Sequence, residues 1–325
     1  MTLSNNALLP FVARSPGKSH WPAKCCLFVL FLVLTLPALA LPPVLKIPKP
    51  QSDSLVAQDY YKQLLRLALI SGAAGRPVPE LLETTSMEQG RAFYELNRGT
   101  LVDVYWMGTS IEREQQLRAI RVPLERGLIG YRRFIIRSDR QFIFDAITRY
   151  DQLKKYLGCQ GLDWPDVDIM RVAGLRVTEV PVFEGLYQQV VAKRCDYFPR
   201  GYFEAEPELM QRKKNYPNLM RYDSLVLHYP FTVYFFVNRD NEELAKWIEQ
   251  GLEKMIDEGA LLKYMIGHPL TAHVFPLDRK TPPKYTIHIN NPYLPADTDF
   301  TDTRYWFQPS DFLSPTDFTA MEDGS

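Results

Sequence analysis

The pattern of apolar and polar residues predicts that strands and helices alternate along the first part of the chain. A short apolar stretch ends at Pro48, and apolar residues near helical spacing then continue to about Ile70. Apolar and polar residues alternate up to Met107, as in a half-buried strand. The predicted elements are strands at 44–47, 80–83 and 101–107 and helices at about 53–70 and 86–97. Their order is βαβαβ.

The same alternation begins again after Gly127. Residues 128–136 are rich in β-forming side chains, and residues 141–156 have a helical pattern. Further strands are expected around Cys159, Val177 and Tyr197 and at 226–237, and a helix is expected at 241–258. A second α/β lobe is therefore predicted to follow the first.

Two crossings of the chain between these lobes, near residues 130 and 230, define the expected domains. The outer lobe comprises residues 41–130 plus 230–268, and the inner lobe comprises residues 131–229. Residues 269–325, rich in Pro and Asp, are expected to form an irregular tail packed on the outer lobe. A connection of this kind permits hinge closure about a cleft.

The first 40 residues have the pattern of a secretory signal peptide. Three basic residues precede an apolar run at 25–36, which ends in Pro-Ala-Leu-Ala, and no acidic residue occurs. The alternative is an uncleaved membrane anchor, although a bilayer core requires about 20 apolar residues. A cleaved signal predicts a periplasmic protein.

Composition and charge limit the classes of partner. The chain has 46% hydrophobic and 23% charged residues, as in an ordinary globular protein. Lys plus Arg equals Asp plus Glu at 38 each, so no global positive field attracts a nucleic acid. We expect a monomer with no nucleic-acid partner.

Cysteines and histidines give no sign of a metal site. Removal of the signal leaves Cys159 and Cys195, which could pair in an oxidising compartment or remain two buried free thiols. The histidines beyond residue 40 lack tight ligand spacing, and neither Cys-x-x-Cys nor His-Glu-x-x-His occurs. The Gly-x-Ser-x-Gly elbow and Gly-rich phosphate loops are also missing from the sequence. We therefore expect no enzyme, no metal and no cofactor.

Four segments, in this order, carry a resemblance to a known family. They are Asp103–Ser110 followed by Glu112-Arg113, Gly127–Tyr131, Asp196–Gly201 and Tyr234–Val237. Over about residues 45–268 the chain resembles the family-3 branch of type II periplasmic binding proteins, which deliver polar amino acids to ABC importers. It is most similar to an uncharacterised branch with Gly-x-Asp-Trp-Pro-Asp, here Gly161–Asp166, and Tyr-Phe-Pro-Arg-Gly.

The resemblance implies a fold and a function. The fold is α/β and two-lobed, a periplasmic binding protein-like II (Venus-flytrap) fold with two hinge crossings. The implied function is capture of a small polar, anionic or amino-acid-like ligand by lobe closure for an ABC permease. The alternatives are a sensory module that closes without transport, with a membrane sensor as its partner, and an enzyme on the same fold.

The resemblance also implies ligand-binding residues. Arg113 matches the arginine that binds the ligand's carboxylate in relatives, because a planar guanidinium pairs with two carboxylate oxygens. In relatives, an acidic residue lies on the wall of the cleft opposite this arginine. This chain has Arg200 there, which favours an anionic ligand. Alternatively, Arg113 is a solvated helix residue and Arg200 forms a structural pair with Glu204 or Glu206.

The remaining candidates are loop residues and aromatic walls. Aromatic residues could line the pocket or could belong to the core. Asp163, Trp164 and Asp166 are expected to cap the next helix. The other candidate ligand contacts are Gly108, Thr109, Ser110, Trp106, Tyr60, Tyr131, Gln160, Gly161 and Gly201.

Overall fold

A computed structural model describes residues 44–49, 55–277 and 283–312 of the chain. The predicted signal peptide and its alternative, a membrane anchor, lie outside these residues. Within the described ranges, none of the helices combines the length and the apolar character needed to cross a membrane.

Strands and helices alternate through most of the described chain. The strands are β1 Val44–Lys49, β2 Glu80–Ser86, β3 Val104–Gly108, β4 Arg118–Ile120, β5 Tyr131–Arg137, β6 Leu157–Gly161, β7 Arg176–Val180, β8 Tyr197–Gly201, β9 Leu219–His228, β10 Val233–Val237 and β11 Tyr285–His288. The helices are α1 Leu55–Ser71, α2 Gln89–Arg98, α3 Ile111–Gln116, α4 Gln141–Asp145, α5 Tyr150–Leu153, α6 Pro165–Val172, α7 Phe183–Val191, α8 Ala205–Arg212, α9 Glu242–Asp257 and α10 Ala260–Gly267.

Two predicted elements are interrupted. The expected helix at 141–156 is divided into α4 and α5 because the side chain of Gln152 accepts hydrogen bonds from the backbone of Thr148 (2.7 Å) and Arg149 (3.1 Å). These bonds start a new helical turn. The expected strand at 226–237 is divided into β9 and β10 at Pro230, which has no N–H for a strand ladder.

β1 to β4 and β10 form two small adjoining sheets, one of two strands and one of three. β1 pairs in parallel with β2, whereas β10 lies antiparallel between β3 and β4. The backbone N–H of Asp103, the residue before β3, donates a hydrogen bond to the Lys46 carbonyl of β1 (2.8 Å). This bond joins the two-stranded sheet, β1-β2, to the three-stranded sheet, whose order is β3-β10-β4. The part of the protein built on these two sheets is called the first lobe below.

Helices α1 and α9 pack closely in the first lobe. The indole Nε1 of Trp247 donates to the Leu69 carbonyl (2.9 Å). A Cβ on Gly251 would lie 1.8 Å from the Ala68 carbonyl oxygen, so only glycine allows this approach. Asn241 caps α9 by accepting from the backbone of Leu244 (3.3 Å), as the predicted helix start requires.

A six-stranded sheet has the strand order β11-β9-β5-β8-β6-β7. β5 is antiparallel to both β8 and β9, whereas β6 is parallel to β7 and β8. The part built on this sheet is called the second lobe. Near the crossings, the Val233 carbonyl accepts from Leu124 N–H (3.2 Å), and the Glu125 carboxyl accepts from Val233 N–H (3.0 Å). The two connections are therefore hydrogen-bonded to each other.

The C-terminal segment differs from the irregular tail expected on the outer lobe. β11 pairs in parallel with β9 of the six-stranded sheet. Farther along, Tyr305 Oη donates to Glu253 of α9 (2.5 Å), and the ring of Phe312 packs on Tyr131 (4.8 Å between centroids). The segment thus contacts both lobes. Its early part forms a strand because β9 offers an unpaired edge, a long-range effect that local sequence does not reveal.

A disulfide joins Cys159 of β6 to Cys195. The sequence alone allowed either this bond or two free thiols. Both cysteines are buried in the second lobe, beside Leu186 and Phe198. The bond closes a chain segment with a sequence separation of 36 residues. It therefore restricts the unfolded chain more than the folded one.

Replacing both cysteines by alanine is expected to lower the free energy of unfolding by about 3–4 kcal/mol, the loop-entropy value for a segment of this length. Urea unfolding of the double variant and of the oxidised wild type provides the measurement. Reducing agent should destabilise the wild type and leave the variant unchanged. An equal response of both proteins would contradict the structural role of the bond.

Candidate ligand-binding site

A cavity of about 170 Å³ lies between the two lobes. Its first-lobe wall includes Tyr61 and Trp106, whose rings stack with centroids 5.7 Å apart. Its second-lobe wall includes Trp164 and Phe183, also in ring contact (6.1 Å). Apolar walls with a few polar groups are typical of small-molecule sites.

Five charged side chains of the second lobe form a buried network at this cavity. Arg200 Nη2 lies 2.7 Å from Glu204 and 2.6 Å from Glu208. Arg132 Nη2 lies 2.6 Å from Asp166, and Arg132 Nη1 lies 4.0 Å from Glu204. All five side chains line the cavity, and each is at most 8% exposed. Ion pairs this deep require good geometry and further hydrogen bonds to offset the loss of water.

Tyrosine hydroxyls supply some of these further bonds. Tyr187 Oη donates to Glu208 (2.6 Å), and Tyr229 Oη donates to Asp166. Burial tends to lower the pKa of Arg200, but Glu204 and Glu208 outweigh burial and raise it. Both carboxylates therefore hold Arg200 as a cation.

Burial raises the pKa of the Glu204 carboxyl, although neighbouring Arg200 lowers it. The Glu204 carboxyl also has a backbone partner. Its Oε2 accepts from the backbone N–H of Gly201 (2.7 Å), and a Cβ on Gly201 would lie 2.9 Å from the same oxygen. The glycine after Arg200 thus makes room for this carboxylate beside the guanidinium.

Two polar atoms of cavity-lining residues have neither a hydrogen-bond partner nor an ion-pair partner in the part of the chain that the structure describes. They are Nε of Arg132, whose side chain is 2% exposed, and Oε1 of Gln89, on the first-lobe wall. A buried polar atom without a partner costs about 1–3 kcal/mol, so such atoms are favourable contacts for a polar solute.

Arg113 does not line this cavity. Its Nη1 donates to the Gly108 carbonyl (2.6 Å), and its Nη2 donates across the cleft to the Asp163 carbonyl (2.6 Å). Within the described ranges, no carboxylate oxygen lies within 4.0 Å of its nitrogens. Burial lowers its pKa to about 10, which still leaves a cation at neutral pH. Arg113 and Ser110 line a second cavity of about 490 Å³.

The two predicted guanidinium groups therefore do not line one cavity, contrary to expectation. Arg200 lines the first cavity and Arg113 lines the second. Arg200 is also neutralised by Glu204, the structural pairing that the sequence allowed, whereas Glu206 pairs with Arg221. The basis for an anionic ligand at Arg200 is thus removed.

The other candidates divide into three groups. Trp106, Gly108 and Arg200 line the first cavity, and Ser110 and Arg113 line the second. Gly201 contacts Glu204 through its backbone. The candidates that line neither cavity are Gly201, Thr109, Tyr60, Tyr131, Gln160 and Gly161.

Core packing accounts for most of the candidates outside the cavities. Tyr60 is fully buried and donates to the Leu124 carbonyl (2.8 Å). Thr109 donates to Glu114 (2.6 Å), and Gln160 donates to the Pro199 carbonyl (3.4 Å). Tyr131 packs on His228 with centroids 4.2 Å apart, and the indole of Trp164 covers Gly161.

Sequence reasoning missed several cavity residues. Tyr61 lines the cavity, whereas its neighbour Tyr60, the candidate named from the sequence, is buried in the core. Asp166 was expected to cap α6, but it pairs with Arg132, and the helix begins after Trp164 without a side-chain cap. The sequence carries no local signal for this pairing, because Arg132 is buried by the strands that pair on both sides of β5.

Two of the three comparisons with known proteins found no match. No protein-family model matches the chain, and no curated protein matches it.

Among the described residues, no group of three or more His, Cys, Asp or Glu residues could hold a metal ion.

Solved structures do match. An ancestral arginine-binding protein bound to arginine has a TM-score of 0.51 at 15% identity, covering 70% of this chain and 99% of that one. The same protein bound to glutamine gives 0.51 at 16% identity with equal coverage. An ancestral amino acid-binding protein, a precursor of cyclohexadienyl dehydratase, gives 0.50 at 11% identity, covering 70% and 95%. The chain therefore has the two-lobed α/β fold of the type II periplasmic binding proteins, as the resemblance predicted.

Proposed function

We propose that this protein is an extracytoplasmic solute-binding protein that captures a small polar solute between its lobes. The observation that carries the proposal is the cavity between the lobes with its buried ionic wall. The solved neighbours named as arginine-binding and amino acid-binding proteins support the same role. Delivery to an ABC importer is part of the proposal, and loss of high-affinity solute uptake on deletion of the gene tests it.

The ligand carries a cationic group, in place of the anionic solute first expected. The buried wall contains three carboxylates against two guanidinium groups. The only other charged lining residue of the cavity in the described ranges is Lys49, which is exposed and therefore screened by water. An added cation restores the charge balance of this wall and favours ionised Glu204.

A thermal-shift screen of the twenty L-amino acids, putrescine, ethylamine and propionate tests the proposal. We expect a compound with an amine or guanidinium to raise the melting temperature, since a ligand at 100 times its Kd adds about 2.7 kcal/mol. Propionate should have no effect. The Glu204→Gln variant should lose at least tenfold in affinity for the compound that binds.

The matched control is Glu206→Gln, because Glu206 is a half-exposed neighbour that pairs with Arg221 and does not line the cavity. Its affinity should equal that of the wild type. A response to propionate without a response to amines would contradict the cationic ligand. No response to any compound would contradict solute capture itself.

A further inference from the structure

The buried cations that line the cavity between the lobes are already paired within the protein. Arg200 Nη2 lies 2.7 Å from Glu204 and 2.6 Å from Glu208. Arg132 Nη2 lies 2.6 Å from Asp166. In the described part of the chain, the cavity has no other buried basic side chain. A solute carboxylate would therefore have to compete with a carboxylate of the protein for a guanidinium.

Other positive groups near the cavity offer a solute carboxylate little. Lys49 lines the cavity but is exposed, and a charge contact in water contributes little to binding. Arg113 lines the second cavity and not this one, and its Nη atoms donate to the Gly108 and Asp163 carbonyls (2.6 Å each). The positive end of α6 already carries Asp166 in its first turn. These groups therefore favour a solute without an acid.

The first-lobe wall offers an aromatic pair to a solute. The rings of Tyr61 and Trp106 stack with centroids 5.7 Å apart, and both residues are at most 7% exposed. Among the described residues, no Lys or Arg lies over either ring, whereas Arg200 lies over Trp164 and Phe183 of the opposite wall (5.4 and 5.5 Å). Aromatic rings attract a cation, and more strongly where water is excluded. The aromatic pair is therefore suited to a cation brought by a solute.

An acidic group and a hydrogen-bond acceptor accompany this aromatic pair. Burial raises the pKa of the Tyr61 hydroxyl, and the charges of Glu125 and Glu204 raise it further. Glu204 of the second lobe is thus close enough for its charge to act on Tyr61 of the first. The Oε1 atom of Gln89, on the same wall as Tyr61, has no partner among the described residues and can accept from an N–H group. Together these groups fit an ammonium or a guanidinium.

We infer that the solute is an organic amine or guanidine that carries no carboxylate. The inference rests on the proposed capture of a cationic solute and specifies its chemical class. One added positive charge balances the three carboxylates and two guanidinium groups of the buried wall. A solute carboxylate would instead add a fourth acid to this wall, and a buried acid is costly unless a cation pairs with it.

Calorimetric titration of the full chain with matched compounds tests the inference. L-arginine is compared with agmatine, which lacks only the carboxylate, and with n-butylguanidine, which lacks the carboxylate but has the same net charge as L-arginine. L-lysine is compared in the same way with cadaverine and pentylamine. In at least one series, both compounds without a carboxylate should bind about tenfold more tightly than the amino acid, or better.

Variants of the first-lobe wall test the contacts. Tyr61→Leu removes the ring and should weaken binding of the tightest compound about tenfold, whereas Tyr61→Phe keeps the ring and should stay within about twofold of the wild type. Lys49→Met should leave the affinity for L-arginine unchanged, because Lys49 holds no carboxylate. Circular dichroism spectra that match the wild type establish that each variant is folded.

An amino acid that binds as tightly as both of its carboxylate-free partners, or more tightly, would overturn the inference and leave capture of a cation intact. Weaker binding of L-arginine to Lys49→Met would also overturn it, since that result reveals a carboxylate contact. Unchanged affinity in a folded Tyr61→Leu variant would remove the aromatic contact on which the inference depends. If none of the six compounds binds the wild type, the cationic ligand and the inference both fail.

Discussion

Replacing Arg200 by methionine is expected to lower the free energy of unfolding by about 3–5 kcal/mol, because Glu204 and Glu208 would remain buried without their shared cation. For a protein of this size the loss corresponds to a decrease of about 10 °C in melting temperature. Methionine retains most of the side-chain length, so the change removes charge and hydrogen bonds more than volume. Calorimetry at neutral pH provides the measurement.

The control is Arg149→Met, which removes an arginine paired with Asp151 on the surface. Pairs exposed to water contribute little to stability, so its melting temperature should match that of the wild type. If Arg200→Met were as stable as this control, Arg200 would not neutralise the buried wall. Low pH should reduce the difference between the variant and the wild type, since protonated carboxyls no longer need the cation.

Replacing Glu125 by glutamine is expected to increase stability at alkaline pH. Burial raises the pKa of this carboxyl to about 8. The hydrogen bond from Val233 N–H lowers the pKa, but burial outweighs it. Repulsion from Glu204 raises the pKa further, by more than attraction to Arg132 lowers it. Between pH 4.5 and 8 the unfolded chain loses this proton while the folded chain retains it. Stability therefore falls by about 1.4 kcal/mol per pH unit across this interval and is level above it.

Glutamine removes this dependence while preserving the acceptor for Val233. At pH 9 the variant should exceed the wild type by about 5 kcal/mol, and near pH 4 the two should be equal. Unfolding in urea from pH 4 to pH 9 measures the difference. Glu80→Gln, at an exposed position, should follow the wild type at every pH. Parallel pH profiles for Glu125→Gln and the wild type would contradict a protonated buried carboxyl.

Much of the architecture was predictable from local pattern. The period of apolar residues identified α1 and α9, and the alternation at 101–107 identified β3. The crossings expected near residues 130 and 230 lie between the strands of the two lobes, although the exact lobe boundaries remain predictions. The position of β11 was not predictable, because its pairing with β9 joins residues about 60 apart.

The site was predictable only in part. A motif indicated the region of Trp106, Gly108 and Arg113, and a departure from the motif drew attention to Arg200. Which side chains neutralise Arg200 depends on the start of α8. Glu204 immediately precedes this helix and Glu208 lies in it one turn later, so both reach the same guanidinium. Arg132 has no local signal at all, since its burial is imposed by strands on both sides of β5.

Strand β11 has a further consequence for solubility. Without it, the ten-residue β9 would form the outer border of the six-stranded sheet and offer unpaired backbone groups to another molecule. The four residues of β11 pair with residues 225–228 of β9 and so cover part of that border. Shortening the chain before residue 283 would therefore favour strand-mediated self-association, even if both lobes still folded.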